Sequence, residues 1–205
     1  MQPTEAAGPF DDPGYLFEPW WPGVRALAFV EDGRLRLQAE GLADADAAFP
    51  ELGDELPALL LEDAVVLDGT LLALDRSGRI DGEALRARLG GTRRAGRPAF
   101  VASDLPWCGG RPWVRRGFAA RRERLTSVLA EGDRCVVGRA FRLEGTLLAE
   151  ALAPLGIGAI SARRLDARYR SGPAGEAWLR APIRSAAPTQ RPTLTLIQRL
   201  PLEDP

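Results

Sequence analysis

No side chain in this sequence offers an amine or an imidazole for covalent or acid–base chemistry. Histidine is absent, and all 27 basic residues are arginine, so no side-chain amine is available anywhere in the 205 residues. Arginine stays protonated under ordinary conditions and is a poor nucleophile. The two thiols, Cys108 and Cys135, are far apart and have no histidine partners, which favours neither a zinc cluster nor a redox pair. Asp68 and Asp75 have the look of a metal pair, but a turn and strand-end role accounts for them better, and no metal site is expected. Charge is unevenly distributed along the chain. Residues 1–85 carry 18 acidic and 5 basic residues, whereas residues 86–124 carry 11 arginines against Asp104 and Glu123. A chain of net charge −1 can therefore still present a basic face, unless these arginines are simply a solvated surface.

The elements that must position these groups follow from periodicity and turn chemistry. Tyr15–Val30 places apolar residues on both sides of Pro22-Gly23, which predicts two strands meeting at a tight corner. Glu31-Asp32-Gly33 supplies a hairpin turn, and Arg34 to Ala39 alternates polar with apolar residues. Ala64 to Asp75 reads as a strand ending in the turn Asp75-Arg76-Ser77-Gly78, and Glu83 to Leu89 as a short helix stopped by Gly90-Gly91. Phe118, Leu125, Val128 and Leu129 form the inward stripe of a later helix, which leaves Arg121 and Arg122 at its edge or on its solvent side. Arg134 to Gly138 reads as a strand and Gly145 to Leu155 as a helix. The composition, 45% hydrophobic, supports a core that needs no disulfides. No apolar run reaches membrane-spanning length and the start lacks a signal peptide, so a cytoplasmic location without membrane partners is the default.

Glu18-Pro19-Trp20-Trp21-Pro22-Gly23-Val24-Arg25-Ala26 resembles the Glu-Pro-Lys-Trp-Asp-Gly-x-Arg-Ala motif of the adenylation domain of ATP-dependent DNA ligases. Trp20 stands at the position of the attacking lysine and Pro22 at that of the aspartate. Leu67-Asp68-Gly69-Thr70 resembles Leu-Asp-Gly-Glu, with Thr70 replacing the glutamate. Phe49-Pro50-Glu51-Leu52 matches the family's helix-starting segment, and Phe100-Val-Ala-Ser-Asp-Leu105 resembles Tyr-Val-Ala-Phe-Asp-Leu, with Ser103 at the aromatic position that stacks on adenine. Gly109-Gly110-Arg111 resembles the next hairpin, and the helix from Gly117 resembles Leu-x-x-Arg-Arg-x-x-Leu. Farther on, Gly156 to Tyr169 resembles Gly-x-Glu-Gly-Val-Val-Ala-Lys-Arg-Leu-Asp-x-x-Tyr, with Gly158 for the glutamate and Arg163 for the lysine. Trp178-Leu179-Arg180-Ala181-Pro182 resembles Trp-Leu-Lys-x-Lys.

The resemblance covers about residues 15–183 and implies an α+β nucleotidyltransferase fold of antiparallel sheets with flanking helices. Residues 1–14 would be an N-terminal extension, and residues 184–205 a tail in which Thr193 to Ile197 is long enough for one added strand. That tail is far too short for the oligonucleotide-binding barrel that follows in the family. The family's lysine takes AMP from ATP as a phosphoamide and passes it to a DNA 5′-phosphate. An indole has no available lone pair for that attack, and a threonine hydroxyl cannot supply a carboxylate's charge to a divalent cation. The resemblance thus implies a catalytically inactive ligase-like protein, a DNA-repair accessory or DNA/protein-binding module. It is expected to lack a cofactor and to have Trp20 filling much of a degenerate nucleotide pocket near Arg25, Thr70, Ser103, Gly158, Arg163 and Arg180. Two alternatives stay open: a nucleotidyltransferase completed by a partner, which would use ATP and Mg, and a structural protein-interaction domain without DNA binding. Partners implied are nicked or other DNA, contacted through phosphates by Arg93, Arg94, Arg97, Arg111, Arg115, Arg116, Arg121 and Arg122, and a DNA-repair protein. Trp107 and Trp113 either stack on an exposed base or pack in the core or loops.

Overall fold

The computed structural model of the protein describes residues 1–92 and 94–184. The first half of the chain forms β1 (Thr4–Glu5), β2 (Tyr15–Pro19), β3 (Val24–Glu31), β4 (Arg34–Ala39), α1 (Ala45–Ala48), α2 (Leu52–Ala58) and β5 (Val65–Leu74). The second half forms α3 (Gly82–Leu89), β6 (Arg97–Cys108), β7 (Arg111–Pro112), α4 (Phe118–Val128), β8 (Cys135–Val137), β9 (Phe141–Arg142), α5 (Gly145–Leu152), β10 (Ala159–Arg164) and β11 (Trp178–Pro182). These elements make two compact units. One contains Met1–Trp21, Arg115–Ala119 and the chain from Gly138 onward; the other contains Pro22–Val114 and Ala120–Val137.

The unit that begins at Pro22 is built on a sheet of order β4-β3-β5-β6-β7, with β8 beside β6. Asp32 and Gly33 both adopt positive φ, 50° and 69°, which is the turn geometry that matches the twist of a tight hairpin and registers Glu31 against Arg34. Strand alternation then sends Ala26, Ala28 and Val30 of β3, Leu37 and Ala39 of β4, and Leu67 and Leu71 of β5 to one face. There they pack with Leu52 and Leu56 of α2 and Leu125 and Val128 of α4. Each large aliphatic side chain buried this way contributes roughly 1.5–3 kcal/mol. Gly69 is required inside β5: a Cβ there would meet the Val101 carbonyl oxygen at 2.5 Å and the Phe100 ring at 2.6 Å.

The sheet also buries charge. Asp68 of β5 and Asp104 of β6 are cross-strand partners, and both are buried. The Arg25 guanidinium donates to both oxygens of Asp68. That of Arg121 donates to both oxygens of Asp104, at 2.7 and 2.9 Å. Arg121 and Arg122 are therefore not on the solvent side of α4, as the apolar stripe predicts. Arg121 is 1% exposed, and Arg122 donates to the Ser103 carbonyl oxygen at 3.2 Å. Periodicity assigns polar side chains to water by default, but a buried carboxylate on the facing strand draws the guanidinium inward. Asp68 likewise lies within β5 and in an ion pair rather than at a strand end, whereas Asp75 does make the expected turn, accepting from the Ser77 and Arg79 amides.

The unit that contains the N-terminus has a sheet of order β1-β11-β10-β2-β9. Phe17 of β2 and Gly145 of α5 are in close approach, so α5 lies on the Phe17 face, where Phe17, Ala162, Leu148 and Leu152 are all buried. Phe10 meets Tyr15 and Phe17 edge-on at 5.2 and 5.3 Å, so residues before Tyr15 add to this core, and Thr4–Glu5 pairs with β11. Both β1–β11 and β6–β8 are parallel pairs, two exceptions in sheets that are otherwise antiparallel. The expected strand at Thr193 to Ile197 lies outside the described residues. Among the described residues no helix is long and apolar enough to cross a membrane.

The Asp104–Arg121 pair is the part of this fold most sensitive to single substitution. Arg121→Met removes the two-pronged cation from a buried carboxylate and is expected to cost about 3–5 kcal/mol in urea unfolding. Arg164→Gln, which breaks an exposed pair with Asp166, is expected to cost under about 1 kcal/mol in the same measurement.

Candidate functional site

The face of the N-terminal unit's sheet opposite α5 collects most of the sequence-predicted positions of that unit. Strand register puts Glu18, Ser161 and Arg180 side by side, and Arg163 beside Trp178. Arg163, at the position of the motif lysine, is enclosed. Its guanidinium carbon lies 4.1 Å from the Trp178 ring centroid and 5.1 Å from that of Phe118, and its Nε is 3.7 Å from a Glu18 carboxylate oxygen. Trp178 is fixed in turn by its indole N–H, which donates to Ser161 Oγ at 2.8 Å. A desolvated guanidinium between two rings and a carboxylate is held by cation–π attraction and by charge, and is directed at protein groups rather than at solvent.

Trp20 continues β2 by donating its amide to the Ala159 carbonyl oxygen at 3.1 Å. Its half-buried ring stacks at a tilt on Trp178, with centroids 6.1 Å apart, and Arg180 stands over it at 5.3 Å. Arg180 donates to both carboxylate oxygens of Glu5 at 3.0 and 3.1 Å. Gly158 is exposed, and a Cβ built on it meets nothing within 4 Å, so the missing glutamate is not excluded by space. Pro182 ends β11 opposite Ala159.

In the other unit, Pro22 is exposed and precedes β3. Arg25 is committed to Asp68, and Thr70 lies opposite Arg25 and Val101. Ser103 Oγ donates to the Asp68 carbonyl oxygen at 3.2 Å. The buried carboxylates Asp68 and Asp104 are each chelated by an arginine, a donor set that does not fit a divalent cation. Among the described residues no group of three or more metal-ligating side chains comes together.

The arginines predicted to contact DNA are divided between the two units. Arg94, Arg97 and Arg111 are exposed in one unit, and Arg115 and Arg116 are exposed in the other. Arg121 and Arg122 are buried, and Arg93 lies outside the described residues. Trp113 is half-buried with Arg124 at 5.9 Å from its ring, whereas Trp107 is 38% exposed. Sequence reasoning missed Glu5, Glu18, Phe118 and Ser161 as partners of the cluster. The period-2 alternation of Glu18 with Trp20 was the available signal.

Fold and site together define a nucleotidyltransferase domain of the kind found in ATP-dependent DNA ligases, and comparison with known proteins agrees. The chain is 27% identical over 169 residues to the multifunctional non-homologous end joining protein LigD of Mycolicibacterium smegmatis, a match that covers 82% of this chain and 21% of that protein. It is 30% identical to DNA ligase C1 of the same organism, over 77% of this chain and 49% of that protein. The solved ligase domain of Mycobacterium tuberculosis LigD superimposes with a TM-score of 0.74 at 26% identity, over 88% of this chain and 57% of that structure. A mycobacterial DNA ligase D complexed with ATP and MES gives 0.73 at the same identity, over 88% of this chain and 58% of that structure. No family model matches the chain. This chain is thus homologous to the nucleotidyltransferase domain of ATP-dependent ligases, and it spans between about a fifth and a half of these curated relatives.

Both thiols are free and buried. Burial pushes the Cys135 thiol up to about 12, with the nearby Glu55 charge adding to the shift, and burial also raises Cys108 against the opposing pull of Arg124. Neither thiol is expected to react with Ellman's reagent in the native protein at pH 8, and both are expected to react in denaturant. Because the folded value of Cys135 is raised, its contribution to stability is full below the unfolded-state value near 8.5. That contribution is lost as pH rises toward 12, so Cys135→Ala is expected to flatten the alkaline decline in unfolding free energy.

Proposed function

We propose that this chain is a catalytically inactive ligase-like protein that serves as a DNA-repair accessory, binding DNA and protein without transferring nucleotide. The carrying observation is Trp20 at the position of the attacking lysine, in a chain with no lysine at all. An indole nitrogen donates a hydrogen bond but holds no lone pair for attack on an α-phosphate. The surroundings support the same reading. Thr70 and Gly158 replace two carboxylates of the motifs, Ser103 replaces the ring that would face adenine, and Arg163 and Arg180 are engaged by Trp178, Phe118, Trp20 and Glu5. Ligase ancestry and the many arginines support retained phosphate contacts, with affinity set by charge rather than by base sequence.

Incubation with labelled ATP and magnesium is expected to give no covalent enzyme–AMP adduct, and the chain by itself is expected not to seal nicked DNA. An acid-labile adenylate at molar yield would overturn the reading. Trp20→Lys by itself is expected to remain inactive, because the carboxylates at positions 70 and 158 would still be missing.

A further inference from the structure

The exposed arginines expected along one stretch of sequence are divided between the two units, and within the N-terminal unit two segments bring a different set together. Gly117 and Ala119 run directly against residues 165–166. The Ala119 amide donates to the Leu165 carbonyl oxygen at 2.9 Å. A Cβ on Gly117 would lie 3.0 Å from that oxygen and 3.2 Å from the Asp166 Cα, closer than a side chain tolerates. Glycine at 117 is what permits this approach. It joins Arg115 and Arg116, which precede α4, to Arg168 and Arg170, which follow β10, and all four are exposed. At about 3.8 Å per residue, the Arg116 and Arg168 Cα atoms are within roughly 16 Å of each other along this path.

The local charge is one-sided. Segments 115–117 and 164–170 hold five arginines and one acid, Asp166. Asp166 is bound by Arg164 through contacts of 3.3 and 3.4 Å, and Glu176 approaches the same arginine at 3.9 Å. Both of these carboxylates approach Arg164, and the two segments together carry an excess of positive charge.

We infer that Arg115 and Arg116 together with Arg168 and Arg170 form the surface that contacts the sugar–phosphate backbone of duplex DNA. The inference rests on the DNA-binding reading above and assigns it a location that the basic stretch 86–124 does not. Exposed guanidiniums spread over this span suit successive phosphates of one strand, and such contacts position a duplex without reading its bases.

Anisotropy of a labelled duplex tests the assignment with the full chain, from about 50 to 200 mM salt. Arg168→Gln/Arg170→Gln is expected to weaken binding about ten-fold at the low-salt end and to lower the slope of log affinity against log salt by about 1–2. Arg115→Gln/Arg116→Gln is expected to do the same, and Arg94→Gln/Arg97→Gln/Arg111→Gln to change binding less than two-fold. Circular dichroism of each variant checks the fold, and either double variant alone is sufficient to test the surface. Duplex binding that neither double variant alters would overturn this location while leaving the DNA-binding reading intact. Absence of any duplex binding at 50 mM salt would overturn both. Binding of polyglutamate but not duplex, lost in the same variants, would overturn the inference in favour of an acidic protein partner.

Discussion

Two buried carboxylates organise the unit that begins at Pro22. Asp68 and Asp104 face one another across β5 and β6, where two uncompensated anions at that separation would repel strongly in a medium of low dielectric. Arg25 reaches one from β3 and Arg121 reaches the other from α4, each as a two-pronged pair. The position of α4 on the sheet and the register of the three strands are thereby tied to a single electrostatic requirement. A buried pair of this kind adds little net stability over an apolar alternative, yet breaking it is costly, so it constrains geometry more than it contributes energy.

Those four residues are also among the ones that agree with the ligase motifs. Arg25 matches the first motif, Asp68 belongs to Leu-Asp-Gly, Asp104 to the Asp-Leu strand end, and Arg121 to the Arg-Arg helix. The departures fall elsewhere: Trp20, Pro22, Thr70, Ser103, Gly158, Arg163, Arg180 and Pro182. Motif agreement in this chain therefore follows the groups that hold the fold. Motif departure falls on groups that the family resemblance associates with nucleotide.

The N-terminal unit shows how such changes are absorbed. An arginine at position 163 is longer and flatter than lysine, and it is stacked between Trp178 and Phe118 with Glu18 beside it. Trp20 places a ring where a lysine stem would be, against Trp178 and beneath Arg180. The rings and guanidiniums form a cluster held by cation–π and ionic contacts.

The strands, their turns and the family resemblance were legible in the sequence because they depend on local rules. Asp32-Gly33 makes its hairpin, Asp75 makes its turn, and the alternation of β3 to β5 marks a core face without any distant partner. Trp20 in place of lysine was equally plain, since residue identity alone decides whether an amine exists. The fate of the arginines was not legible. Arg121 and Arg122 have the sequence appearance of a solvated helix edge, and only the placement of α4 over Asp104 and the Ser103 carbonyl draws them inside. Arg168 and Arg170 lie over fifty residues from Arg115 and Arg116, and only the close approach at Gly117 joins them. The sequence by itself determined which chemistries are available and where strands and helices form, because those follow from side-chain type and nearest neighbours. Tertiary structure alone decided which charges are buried and which are presented, because burial and pairing depend on what packs against a residue from far along the chain.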